Sequence, residues 1–270
     1  MSGIIEEIAI AVAYTIADVI ALFGGVLALA VALWFASQAI RREGVRAIGQ
    51  RYYWCVCPGV VCHETGHALG CVFTGTRISK FVPFRPEGDT LGYVQYEIRP
   101  GKWPNIARFF ISTGPVWFGS AVILLLCRLA AGPELLPDFR AIAPKAGDSL
   151  VVHVERIVAG AGHMFGTVCS PAHWRTPLVP VFAYLAFCIA SEITLSPSDL
   201  KGMWRGLVAI ICAIFVANRI PFISKGLGWC IDTARPVVFA LETVLLLVLV
   251  ADLLILGCVR LIRVIKRRHH

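Results

Sequence analysis

The sequence predicts an all-α integral membrane protein: a bundle of about six transmembrane helices with a short β-hairpin after the second. Three observations predict it. The chain has 270 residues, of which 57% are hydrophobic and only 16% charged. Soluble domains lie nearer half apolar and a quarter charged. The mean hydropathy is +0.75. The apolar residues also fall into long runs divided by short polar segments, as spans of about 20 residues require. The chain therefore reads as one multi-pass membrane domain over residues 1–270, with no separate soluble domain.

Residues 8–40 form the first apolar stretch, and Gly24-Gly25 is where it is expected to bend. Glu6 and Glu7 precede it where a signal peptide carries positive charge, so it reads as a retained span. The second stretch is 53–73, the third 106–131, the fourth 178–195, the fifth 207–222 and the sixth 237–262. Asp18, Glu192, Glu242 and Asp252 fall in or near these stretches. Acids at membrane depth are costly and are functional candidates by default.

Two segments differ. Over 76–100, TRISKFVPF and TLGYVQYEI have the aromatic and β-branched content of strands. RPEGD between them, with Pro86 and Gly88, is a turn signal. A hairpin is expected here, at the interface or shielded by protein, because open strand edges cannot face lipid. In the long segment 132–177, residues 149–168 have apolar residues at helical spacing, as an interfacial amphipathic helix would.

The net charge of +8 does not indicate nucleic acid. Arg41, Arg42, Arg46 and Arg51, and then Arg260, Arg263, Lys266, Arg267 and Arg268, flank apolar runs as the positive-inside rule describes. Six crossings would put these two clusters on opposite sides of the membrane, each with a claim to the cytoplasm, so the sequence leaves the orientation open. The ten cysteines lie mostly within apolar runs and give no disulfide framework.

The chemistry concentrates in His63-Glu64-Thr65-Gly66-His67. Positions i and i+4 of a helix share a face, so both imidazoles can reach one metal ion. Neutral imidazole suits zinc, and a catalytic zinc needs a third protein ligand and an open position. Zinc lowers the pKa of a coordinated water towards roughly 7, and Glu64 beside the first ligand is the expected general base. Asp199, in LSPSDLKG, is the best third ligand, on the expectation that Pro197 and Gly202 break the helix and turn its carboxylate inward. Glu192 is the runner-up. Two satisfied histidines packed between helices, or a bis-histidine haem site, would leave Glu64 without a task.

HETGH in the second stretch, FISTGPVWFG at 110–119 and SPSDLKG at 196–202 together resemble the site-2 protease family of intramembrane zinc metalloproteases. The resemblance covers roughly residues 53–202, the expected catalytic core. It implies a single zinc held by His63, His67 and Asp199, with Glu64 as catalytic base. It also implies a small sheet that engages substrate, and substrates that are membrane-anchored proteins within the lipid bilayer. The sequence departs from the family pattern at Ser196 and Phe118, where asparagine is usual, and at Leu200-Lys201 before Gly202. Gly114-Pro115 is read equally as a helix-packing contact and as a shaper of the site. Thr65, Ser112, Thr113, Ser191, Thr194 and Ser198 are candidate linings of a water-accessible cleft. The alternatives are a metal-binding scaffold without activity and a transporter or haem protein using the same acids and histidines. His153, His163 and His173 match no metal spacing, and His269 and His270 read as a solvated tail. Oligomeric state and substrate contacts are not specified by the sequence.

Overall fold

The structure is a computed structural model describing residues 2–87, 91–98, 103–132, 136–145, 148–171 and 178–268. Gly88 and Asp89 of the expected turn, and His173, His269 and His270, lie outside the described residues. The chain is mostly helical. In order it forms α1 (Ser2–Val19), a π-helical turn (Ile20–Gly24), α2 (Gly25–Ile48), α3 (Arg51–Cys55) and α4 (Cys57–Phe73). A hairpin of β1 (Arg77–Val82) and β2 (Tyr93–Glu97) follows. After it come α5 (Pro104–Ala131), α6 (Phe139–Ile142), α7 (Leu150–Val168), α8 (Leu178–Glu192), α9 (Pro197–Asn218) and α10 (Pro221–Arg268).

Among the described residues, four helices are long and apolar enough to cross a membrane: Ile5–Ile48, Pro104–Ala130, Pro197–Asn218 and Phe222–Leu261. This differs from the expected count of about six. The second and fourth apolar stretches are cut short by breaks that hydropathy does not register. Val56 leaves helical geometry, and α4 restarts with Pro58 in its first turn, leaving 17 residues. The α8 helix ends at Glu192, before the Ser196 cap of α9, and has 15 residues. At 1.5 Å per residue these helices are about 26 and 23 Å long, short of a hydrocarbon core of about 30 Å.

Close contacts fix the helix directions. Gly66 lies against Gly114 and Pro115, and Gly70 against Ile111, so α4 and α5 are antiparallel. Gly202 meets Ser112 and Gly206 meets Asn105, so α5 and α9 are antiparallel too. Both glycine pairs have the small-x-x-x-small spacing that lets membrane helices approach closely. Gly59 sits on the Cys188 carbonyl while His63 bonds Glu192, so α8 runs parallel to α4. Gly25 abuts Glu242, and Glu43 pairs with Arg263, so α2 and α10 run parallel. A π-helical turn, Ile20–Gly24, occupies the place where a bend was expected. Gly25 leaves room there for the Glu242 carboxylate, where a Cβ would collide with it.

The hairpin forms as expected, with Val82 opposite Tyr93, Phe81 opposite Val94, and an irregularity between Ile78 and Lys80. Gly75, at φ 62°, turns the chain out of α4. The hairpin then runs back along α4. Phe84 packs edge-on against Trp54 at 5.1 Å. Leu91 is buried with Tyr52, Val56 and Val60. The helix expected over 149–168 is α7, capped by Ser149 and packed on α10 through Ile157, Gly160, Ala161 and Met164. All ten cysteines are free thiols.

Candidate metal centre

The i, i+4 spacing on α4 turns His63 and His67 to one side, with ring centroids 4.8 Å apart. Each ring is oriented by a backbone carbonyl of another helix. His63 Nδ1 donates to the Glu192 carbonyl at 2.7 Å, and His67 Nδ1 donates to the Ile111 carbonyl at 2.7 Å. A carbonyl only accepts, so in the neutral rings both protons sit on Nδ1 and both Nε2 atoms carry lone pairs. Those Nε2 atoms face each other at 3.1 Å.

Asp199 completes the group. One carboxylate oxygen is 3.3 Å from His67 Nε2, and the other is 3.9 Å from His63 Nε2. The three candidate ligand atoms all lie within 4.8 Å of one another. Donors about 2.0–2.1 Å from a tetrahedral zinc stand roughly 3.3 Å apart. Three acceptors converging with no proton between them repel unless a cation joins them. The three residues therefore form a group that could hold a metal ion.

Asp199 reaches this position differently from the sequence expectation. Pro197 and Gly202 do not break a helix. Pro197 begins α9, and Gly202 lies inside it against Ser112. Asp199 is the third residue of α9 and forms a capping box with Ser196. Its Oδ2 accepts from the Ser196 amide at 2.9 Å and from the Ser196 hydroxyl at 2.6 Å, which leaves Oδ1 to face His67. Ser196 is thus the residue that holds the carboxylate in place.

Glu192, the other candidate ligand, is occupied elsewhere. Its carboxylate pairs with Arg41 at 2.8 Å, and only its backbone oxygen reaches His63. Glu64 is buried beside the two histidines and lines the same cavity of about 490 Å³. Its Cγ packs so closely on Gly92 that a side chain there would meet it at 2.8 Å. Tyr93, Val94 and Tyr96 carry β2 along the cavity wall, and Trp34, Gln38 and Arg41 close it from α2.

Of the six polar residues expected to line a cleft, Ser112, Thr194 and Ser198 do so. Thr65, Thr113 and Ser191 instead bond carbonyls of their own helices. Gly114-Pro115 packs directly on Gly66, and about one turn earlier on the same helix the Ile111 carbonyl bonds His67. Sequence reasoning missed Arg41 and Gln38, which it had read only as part of a basic flank and of an apolar run. Their i, i+3 spacing on α2 was the available signal. The other acids expected in the apolar stretches lie apart from this group. Glu242 bonds His153 at 2.7 Å, Asp18 accepts from Asn218 at 3.0 Å, and Asp252 has no hydrogen-bond partner among the described residues. Comparison of the chain with protein-family models, curated proteins and solved structures returns no match.

Proposed function

We propose that the chain is an intramembrane metallopeptidase that hydrolyses peptide bonds of membrane-anchored proteins. The observation that carries this reading is the convergence of His63, His67 and Asp199 beside a buried Glu64, in a cavity edged by a β-strand. The three residues would hold zinc, whose bound form polarises a carbonyl and makes a coordinated water acidic. Glu64, at the cavity wall, would serve there as the general base and then the general acid. Tyr93 to Tyr96 offer a strand edge on which an unwound substrate segment can lie extended, its peptide groups paired by strand addition. Arg41 and Glu192 hold the end of α8, and so keep the carbonyl that orients His63 in place.

The parallel run of α2 and α10 supports an odd number of crossings. We count five: α1 with α2, α4, α5, α8 continuing through a break into α9, and α10. The alternatives lose ground on geometry. Two Nε2 atoms 3.1 Å apart on one helix leave no room for a porphyrin plane between them. A scaffold without activity has no use for a carboxylate buried at the metal.

The test is the metal content of detergent-purified protein, wild type beside H67A, D199A and E64Q. About one zinc per chain is expected in the wild type and in E64Q, with loss in the other two. E64Q should also accumulate an uncut membrane substrate that the wild type removes. No metal in any form after zinc is supplied would end the reading.

A further inference from the structure

The helix directions gather positive charge at one end of the molecule. The α2 helix finishes with Arg41, Arg42 and Arg46, and α10 finishes with Arg260 and Arg263. Because the two helices are parallel, with Glu43 paired to Arg263, these residues share one end. The short turn to α3 adds Arg51 there, since Tyr52 packs on Gly44. In sequence, Lys266, Arg267 and Arg268 follow.

Few acids compensate. Glu192 takes Arg41, and Glu43 is shared by Arg46 and Arg263. Arg42, Arg51 and Arg260 are exposed and form no ion pair among the described residues. Directly beside them the surface is apolar and open. On α2, Phe35 and Ile48 are exposed, and on α10 Leu253, Leu254 and Leu261 are exposed, with Trp54 next to Arg51. Side chains like these belong in hydrocarbon, and tryptophan belongs at its edge. Cations fixed at the rim of a lipid-facing band meet headgroups at that height.

We propose that the joined ends of α2 and α10 form a surface for anionic phospholipid headgroups, with Arg42, Arg51 and Arg260 as its free cations. The surface sets the orientation of the chain. The turn at Gly49-Gln50 and the C-terminal tail lie on the side of the anionic leaflet, and the start of α1 lies on the other. This does not depend on any peptidase activity.

The experiment uses the full chain in mixed micelles containing phosphatidylglycerol and phosphatidylcholine, with bound lipid counted by native mass spectrometry. The wild type should retain phosphatidylglycerol at least threefold over phosphatidylcholine, falling with added salt. The triple variant R42S/R51S/R260S should lose that preference while keeping its metal content, which reports an intact fold. In sealed vesicles, an epitope inserted between Gly49 and Gln50 and one at the C-terminus should be digested from the same face. Equal retention of the two lipids by the wild type, epitopes digested from opposite faces, or a preference unchanged in the triple variant would each overturn the proposal. So would tight binding to RNA without any lipid preference.

Discussion

Gly66→Ala probes the link between helix packing and metal binding most directly. A Cβ at Gly66 would stand 2.6 Å from the Pro115 Cα and 2.7 Å from the Pro115 nitrogen. Both are backbone atoms in the middle of α5, so neither can swing aside. Ordinary carbon contacts are about 3.5–4.0 Å, so α4 and α5 must part by about 1 Å. His67 Nδ1 now sits 2.7 Å from the Ile111 carbonyl. That separation would stretch to about 3.7 Å, outside hydrogen-bond range. Loss of such an orienting partner weakens metal affinity about 10–100-fold, or about 1.4–2.7 kcal/mol. Overpacking adds roughly 1–3 kcal/mol of lost stability. The assay is competition between the purified protein and a chelating dye for zinc, with helicity followed by circular dichroism. Gly162→Ala is the control, because a Cβ there meets nothing within 4 Å. It should leave zinc affinity unchanged and add up to about 1 kcal/mol of helix stability. If Gly66→Ala binds zinc within twofold of the wild type and melts at the same temperature, the α4–α5 contact does not place His67 and the reasoning is wrong.

Three further outcomes are expected. Ser196→Ala removes the cap of α9, at a cost of about 1 kcal/mol, and frees the Asp199 carboxylate. Zinc should bind more weakly, and Ser196→Asn, which can also cap, should restore it. Equal affinity in all three proteins would show that the cap does not position Asp199. Asp252 is fully buried with both carboxyl oxygens unpartnered among the described residues. Asp252→Leu should therefore raise the thermal midpoint, with a gain on the order of 1–3 kcal/mol. A fall in the midpoint would mean that the carboxyl has a bonding partner. Protons compete with metal for both imidazoles, so affinity falls as pH drops. Dialysis at stepped pH should strip the metal from the wild type in acid, and retention that does not change with pH would contradict ligation by the two histidines.

The parts of the site legible in the sequence were those set by local periodicity. His63 and His67 share a face because a helix repeats every 3.6 residues, and Glu64 follows by adjacency. The hairpin was legible because its strands have β composition and its turn residues stand between them. Asp199 was identified, but the reason it points inward was not. Pro197 reads equally well as a helix breaker and as a first helical residue, and only the structure distinguishes the two. Four helices rather than about six are long and apolar enough to cross a membrane, for a related reason. Hydropathy sums over a window and does not register the break at Val56 or the end of α8 at Glu192.

The sequence by itself determined that the chain is apolar enough for a membrane, that two histidines share one helix face with a glutamate beside the first, and that an aspartate of suitable chemistry lies about 130 residues further on. It determined these because composition, helical period and residue type are local properties. Only the tertiary structure decided that Asp199 rather than Glu192 joins the histidines, that Glu192 is bound to Arg41, that backbone carbonyls of Ile111 and Glu192 orient the rings, and that α2 and α10 run parallel. Each depends on which helix faces meet. Several of those meetings are closest at glycines: at 59, 66, 70 and 206 a missing side chain lets a neighbouring backbone approach, and at 25 and 202 it admits the Glu242 and Ser112 side chains. A glycine in a sequence does not say which helix will come to rest against it.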